Sequence, residues 1–358
     1  MSNINIIDYQ HEHQAAFEQL NRQWIEKYFF MEERDIFTLT RPDEAILKNG
    51  GVILMAQYDG TIAGTVALRK IDDSTLEFTK MAVDENFRRK GIAEALTRAS
   101  FEKAAVLGAD RIILYSHSSL TGAIALYSKM GFYHLMVESG IYRRADVKME
   151  YWLKPEKKPT AAGIQIIRAK PEHAPLIAFI GRRSFDDTFG HLFESKQELS
   201  DYLNYTYSIP KIANSLKKET NVFFLAVAGE QPVGFVKLKR NSLNQDIDSL
   251  SQMELQKIYV LQEFHGKGAG EALICVAKKL ARDEKACHLW LDTHISNHRG
   301  IRFYEKHGFR ICGGHYFTIG SQTFDYHLMD FLVECSPRKP QRKGSQVRIS
   351  GQKRILQY

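Results

Sequence analysis

Cysteine is scarce in this chain and badly placed for pairing. Four occur in 358 residues, Cys275, Cys287, Cys312 and Cys335, all in the second half and with no CxxC spacing. That argues against a disulfide framework and a zinc site, and fits a reducing compartment; no metal is expected. Long apolar runs are missing as well. None approaches the ~20 residues of a membrane span, so no membrane partner is expected. The opening residues, MSNINIIDYQHEH, lack the basic and apolar regions of a secretory signal, and a cytoplasmic location is the expectation. No helix-turn-helix, zinc-finger or RNA-binding signature occurs, so no nucleic-acid partner is expected. Acid is absent from residues 336–358, which carry Arg338, Lys339, Arg342, Lys343, Arg348, Lys353 and Arg354. The net charge of +7 therefore belongs to this tail, and the rest of the chain balances to about zero. The tail reads as a solvated, disordered extension. Contact with nucleic acid or an anionic membrane is the competing reading.

What is present is ordinary for a globular protein, 44% hydrophobic and 25% charged, with length for two or three domains. The informative feature is a repeat. Residues 77–132 align with 254–309 at a fixed offset of 177, without a gap and with 19 identities in 56 positions. Average composition would give roughly 3. Among the pairs are Glu77/Glu254, Val83/Val260, Gly91/Gly268, Tyr127/Tyr304 and Gly131/Gly308. A unit this long means two domains of one fold, because solenoid units run about 20–50 residues. Residues 154–163, KPEKKPTAAG, read as a linker. The expected division is a first domain at 1–153, the linker at 154–163, a second domain at 164–335 and the tail at 336–358.

Periodicity places similar elements in both halves. Apolar β-rich runs flank Asp59-Gly60, a hairpin signal. Leu76–Val83 and Glu254–Val260 read as strands, Gly91–Leu107 and Gly268–Ala281 as helices, and further strand and helix signals follow each. The order is a mixed α/β one, with antiparallel hairpins feeding a strand-helix-strand crossover.

Between each such strand and helix lies a small-residue turn: Arg88-Arg89-Lys90-Gly91-Ile92-Ala93 in the first copy, His265-Gly266-Lys267-Gly268-Ala269-Gly270 in the second. Exposed amides at a helix start, aided by the helix dipole, suit a pyrophosphate. A tight helix N-terminus with no ligand is the competing reading. Neither a Walker loop nor a dinucleotide fingerprint is present.

The pattern V-x4-[QR]-x-x-G-x-[GA], followed by a helix, a strand and a Tyr in LYSKMGF or FYEKHGF, resembles the GNAT superfamily of N-acetyltransferases. The resemblance covers nearly all of 1–335 and implies two tandem GNAT acyl-CoA N-acyltransferase folds, with acetyl-CoA as co-substrate. It further implies transfer of the acetyl group to the primary amine of a small molecule. The second domain resembles the PaiA-type polyamine acetyltransferases in Ser184–Phe189, Met253–Val260 and Gly314–Gly320. A polyamine is then the first acceptor expected, and an amino acid, peptide or aminoglycoside-like amine the second; an acidic acceptor pocket would favour the polyamine. The resemblance assigns Glu254 and Glu77 as general bases and Tyr304 and Tyr127 as general acids. It gives the cofactor the backbones of Met81, Val83, Ile258 and Val260, the two turns (88–93 and 265–270), and Asn297. Two departures stand out: His265 replaces the usual Gln or Arg, and Leu120 occupies the place of Asn297. The alternative is that one domain is catalytic and the other a scaffold or acetyl-CoA-binding regulatory module. Monomer and homodimer remain open. His117 and His294 read as structural. Asp186, Asp187, Asp246 and Asp248 read as unpaired surface acids, with attraction of a cationic amine as the competing reading.

Overall fold

The computed structural model describes residues 4–137, 144–158 and 163–333, and the backbone of 354–355. The expected tail otherwise lies outside the described residues, as do 159–162 of the expected linker. The chain forms two compact units, Met1–Thr160 and Ala161–Tyr358. The described start of the linker stretch is tied down: Lys154 and Lys157 lie 2.7 and 2.8 Å from Asp110.

In the first unit β1 (Ile4–Asp8) leads to α1 (Gln14–Tyr28), α2 (Glu33–Thr40) and α3 (Pro42–Ala45). Then come β2 (Val52–Tyr58), β3 (Thr61–Lys70), β4 (Thr75–Val83), α4 (Ile92–Val106), β5 (Arg111–Ser116), α5 (Thr121–Lys129), β6 (Tyr133–Leu135) and β7 (Val147–Trp152). The second unit runs β8 (Ile164–Arg168), α6 (Ala174–Phe189), α7 (Lys196–Thr206), α8 (Ile209–Leu216), β9 (Asn221–Ala228), β10 (Gln231–Arg240), β11 (Gln252–Val260), α9 (Ala269–Asp283), β12 (His288–His294), α10 (His298–Lys306), β13 (Arg310–Ile319) and β14 (Gln322–Leu332), with β15 at Arg354–Ile355. The sheet orders are β1-β2-β3-β4-β5-β7-β6 and β15-β13-β14-β12-β11-β10-β9-β8. Apart from β15, the two sheets have the same topology, as the repeat requires.

The hairpin at Asp59-Gly60 closes with both residues in the left-handed region, φ 47° and 83°, the requirement of a two-residue type I′ turn. Helix α9 shows why the crossover packs. Ala269, Leu273, Ile274, Ala277 and Ala281 are buried at helical spacing against Val236, Leu238 and Leu291. Truncating one of the large residues there to Ala would cost about 2–5 kcal/mol. Gly234 allows the close approach, since a Cβ there would meet the Tyr259 carbonyl oxygen at 2.7 Å and Leu273 at 3.2 Å.

The feature that positions the site is a split in each sheet. β4 and β5 pair in parallel only over Thr75–Phe78, and β11 and β12 only over Gln252–Glu254. Beyond those points each pair separates, leaving one backbone edge of residues 255–260 without a strand beside it. Each strand is also bulged against its other neighbour, with Gln256 the extra residue of β11.

Candidate active site

The split in the second unit opens into a cavity of about 1140 Å³, enough for a cofactor arm and an acceptor together. Glu254, Ile258, Val260, His265, Gly266, Gly270, Asn297 and Tyr304 all line it. Glu254 stands at the fork, where the β12 pairing ends. Its two oxygens accept hydrogen bonds from Ser242 Oγ at 2.7 Å and Gln256 Nε2 at 3.2 Å. The register of the bulge brings in Gln256, a partner that sequence spacing does not reveal. Tyr304 sits on α10 with its ring packed on Phe303 and Phe309. Burial pushes its hydroxyl well above the usual tyrosine range, so it stays a proton donor at neutral pH. Among the described residues the hydroxyl has no hydrogen-bond partner.

The turn before α9 is built for an anion. Gly266 and Gly268 have φ of 75° and 87°, which turns successive amides the same way. His265 and Lys267 amides bond back to Gln262 and Phe264; those of Gly266, Gly268, Ala269 and Gly270 have no acceptor among the described residues. Lys267 stands over the Phe264 ring at 5.1 Å. His265 keeps the turn in place from a side chain: its Nε2 donates to the Val260 carbonyl at 2.9 Å. Its Nδ1 is buried without a partner. Asn297 is engaged by the protein. Its Oδ1 accepts from the Gly300 amide at 3.0 Å as the cap of α10, and its Nδ2 donates to Thr293 at 3.2 Å.

The acceptor side is not the acidic pocket that would favour a polyamine. Lys211, Lys237, Lys239 and Lys257 line it, with Glu254, Glu271 and Asp292 as the lining acids. Asp186, Asp187, Asp246 and Asp248 do not line it. Desolvation by burial holds the Lys237 and Lys257 ammonium groups down to about 8. Neither lysine stands out in the strand pattern, yet one signal was available: Lys80 and Lys257 are identical in the repeat at a position inside a half-buried strand. His294 lines the cavity too. Its Nδ1 accepts from the Ser296 amide at 3.1 Å, and His117 repeats the arrangement with Ser119.

In the first unit the same elements are arranged differently. Glu77 is buried and ion-paired with Arg69 across the β3–β4 ladder. Tyr127 is buried against Phe78 and Phe132, and desolvation raises its hydroxyl as in Tyr304. Lys80 lies 2.5 Å from Asp35, which lies 2.7 Å from Arg144. A cavity of about 300 Å³ is lined by Val83 and Arg88, together with Trp24, Lys27 and Glu85, and by neither Glu77 nor Tyr127. The turn persists: Arg89 takes φ 61° where the second copy has Gly266, and Gly91 takes 84°. The amides of Arg89, Lys90, Gly91, Ile92 and Ala93 lack acceptors among the described residues. Arg88 is drawn to Glu85 at 2.9 Å, and Lys90 lies over the Tyr58 ring at 4.4 Å. Met81 and Val83 pack at the edge of the core.

Two sheets of one topology, each split beside an amide-rich turn, define a tandem acyltransferase architecture. The acetyltransferase (GNAT) family model matches residues 13–132 and 184–309, and the chain belongs to that family. An uncharacterized N-acetyltransferase of Lactobacillus delbrueckii subsp. lactis is 25% identical over 173 residues, 48% of this chain and 96% of that protein. Human N-acetylaspartate synthetase is 38% identical over 87 residues, which are 24% of this chain and 29% of that protein. Among solved structures, the PaiA N-acetyltransferase of Thermoplasma acidophilum in complex with coenzyme A aligns at 23% identity and a TM-score of 0.39, covering 48% of this chain and 99% of that one. Among the described residues no helix is long and apolar enough to cross a membrane.

Proposed function

We propose that the second unit transfers the acetyl group of acetyl-CoA to the primary amine of a small molecule. The observation that carries this is one cavity lined by Glu254, Tyr304 and, from the turn, His265, Gly266 and Gly270. The free amides at Gly266, Gly268, Ala269 and Gly270, with the α9 dipole, fit a pyrophosphate. The unpaired edge of residues 255–260 fits an amide-bearing pantetheine arm and offers an N–H to a developing oxyanion. Glu254, directly or through a water, accepts the proton that the acceptor ammonium must lose. The amine nitrogen then bonds to the thioester carbonyl carbon, and the carbon–sulfur bond breaks. Tyr304 delivers its proton to the departing sulfur and is reprotonated by the second N–H proton, which the nitrogen sheds as the amide forms, giving the N-acetyl product and free CoA thiol. Held neutral by burial, the phenol suits donation and not proton abstraction.

For the first unit the non-catalytic, acetyl-CoA-binding reading is favoured. It keeps a phosphate-type turn, but its carboxylate is paired with Arg69 and the place of Lys257 is taken up by an internal ion pair. We infer that it binds cofactor without transferring acetyl.

The test is thermal unfolding of the full chain with and without acetyl-CoA, repeated with Gly268→Trp and Gly91→Trp. Cofactor at 100 times Kd stabilises the binding unit by about 2.7 kcal/mol. We expect Gly268→Trp to remove the shift of the second unit together with thiol release in an amine panel, and Gly91→Trp to spare that turnover. Turnover that survives Gly268→Trp would overturn the assignment.

A further inference from the structure

The acceptor side of the second unit carries a charge that the transfer chemistry does not use. Lys237 and Lys257 face each other directly across the β10–β11 ladder, an arrangement in which like charges weaken pairing. Strand alternation decides which face they occupy. Ile258 and Val260 pack on the core that contains Leu273 and Ile274 of α9, so Lys257 and Tyr259 project from the opposite side of the sheet. There Lys257 lies 5.2 Å from the Tyr207 ring, and Lys237 lies 5.4 Å from the Phe223 ring. Lys211 of α8 and Lys239 of β10 complete the wall. Among the described residues none of these four lysines forms an ion pair. The acid that acts on Lys237 and Lys257 is Glu254, whose oxygens already hold Ser242 and Gln256. Half-buried ammonium groups without a counter-charge are costly. The turn for the cofactor phosphates lies beyond the end of β11, by α9, on the other face.

The repeat supplies an internal comparison. Lys80 occupies the place of Lys257 at the offset of 177. The first unit folds a carboxylate of its own, Asp35, onto that lysine. In the second unit no described carboxylate stands there. Aligning Gly64-Thr-Val-Ala-Leu-Arg-Lys70 with Gly234-Phe-Val-Lys-Leu-Lys-Arg240 puts the fully buried Ala67 where Lys237 stands. The second unit has thus gained a cation and lacks the acid.

We propose that the missing carboxylate arrives with the acceptor: the amine acetylated by the second unit is an amino acid or short peptide whose carboxylate is held between Lys237 and Lys257. The proposal rests on the acyl-transfer reading of the same cavity. Because Gln256 is bulged out, Glu254 and Lys257 stand opposite Lys239 and Lys237, two residues apart on β10 and so about 7 Å along the sheet. The long lysine side chains shorten that span to amino-acid or dipeptide size. Such an acceptor presents its amine to Glu254 while its anionic end neutralises the wall. A polyamine meets the same wall as a like charge.

The test uses the full chain saturated with CoA, unfolded thermally at pH 7. The probes are each α-amino acid, a set of dipeptides, the matching carboxamides, spermidine and sodium sulfate. At least one acid should raise the unfolding temperature of the second unit with an apparent affinity tenfold or more above that of its carboxamide. Lys257→Met and Lys237→Met should each erase that difference while keeping the CoA-induced shift, and in turnover the loss should fall on the acceptor KM. Lys257→Arg should restore most of it. The proposal is overturned if no acid exceeds its carboxamide, if spermidine binds as well, or if sulfate gives the same shift and so marks a general anion site. It is also overturned if the lysine variants lose the CoA shift itself, which would assign the cluster to the cofactor phosphates. A wild-type chain with no CoA shift would instead count against the acyl-transfer reading, and the acid–carboxamide comparison would still decide the acceptor question.

Discussion

Lys257→Met should make the second unit more stable while weakening its acceptor site. Burial lowers the Lys257 ammonium from 10.5 to about 8. At 1.36 kcal/mol per pH unit the drop sets a ceiling of about 3 kcal/mol on the penalty. The side chain lines the cavity and is only half-buried, and solvent screening reduces this to about 2 kcal/mol. Methionine keeps the stem and its packing but loses the contacts with the Tyr207 and Tyr259 rings, worth about 0.5–1 kcal/mol. A net gain of about 1 kcal/mol remains, or about 2–4 °C for a unit of this size. The pH dependence has a definite sign. The folded value lies below the unfolded one, so the unfolded chain binds more protons between pH 8 and 10.5 and stability rises with pH across that window. Below it both states are charged and the penalty is complete. Urea unfolding of the full chain at pH 7 and pH 9.5 checks this, with the transition of the first unit as internal control. The variant should gain at pH 7 and lose about half of the alkaline rise, since Lys237 is lowered in the same way and keeps its own share. A second-unit midpoint that falls at pH 7 would refute the claim that this lysine is held against its own stability.

Tyr304→Phe should lower kcat by about 10²–10⁴, the range for a positioned proton donor, with Tyr127→Phe leaving the same turnover unchanged; steady-state thiol release separates the two. Asp35→Asn should destabilise the first unit by about 3 kcal/mol, because it takes the paired carboxylate from Lys80 and leaves Arg144 with Glu32 alone at 3.9 Å; denaturant unfolding reads this. Burial alone would raise the Asp35 carboxyl, but Arg144 and Lys80 hold it below 3.8. Its contribution is therefore present above that value and lost as pH falls through the lower folded one, so acid titration of the unfolding midpoint should be flatter in the variant. Arg89→Gly should stabilise the first unit by about 0.5–1 kcal/mol by relieving its positive φ, read as a rise in its unfolding temperature.

The repeat made the architecture legible before any coordinates. The same 56-residue alignment that pairs Glu77 with Glu254 and Gly91 with Gly268 also implies two sheets of one topology. Strong periodicity located α4, α9 and the central strands to within a residue or two. α2, α3, α8 and the short β6 escaped, since eight residues or fewer carry too little periodicity to separate from loop. The charge of the acceptor wall escaped for another reason. It depends on which lysines share a face after a bulge, and a one-residue slip reverses that face. Asn297 shows the limit of motif transfer. Its type and place match the family pattern and it lines the cavity, but its local role was not legible in the motif: Oδ1 caps α10 and Nδ2 donates to Thr293 of β12.

The two copies differ most where chemistry, and not folding, sets the requirement. Both keep the turn, the split strand and the buried tyrosine, features that a helix-sheet crossover supports at little expense. The first copy has joined its carboxylates to cations, Glu77 to Arg69 and Asp35 to Lys80 and Arg144, which satisfies each charge inside the fold. In the second, Glu254 receives only neutral hydrogen-bond donors, and Lys237 and Lys257 stand opposed without an acid of their own. A packed domain gains nothing from such an arrangement, because a buried charge left unpaired is a liability. Its persistence in the copy with the larger cavity is what a site awaiting a complementary ligand requires. The stability gained by Lys257→Met and the carboxylate selectivity lost with it then both report on the same unpaired charge.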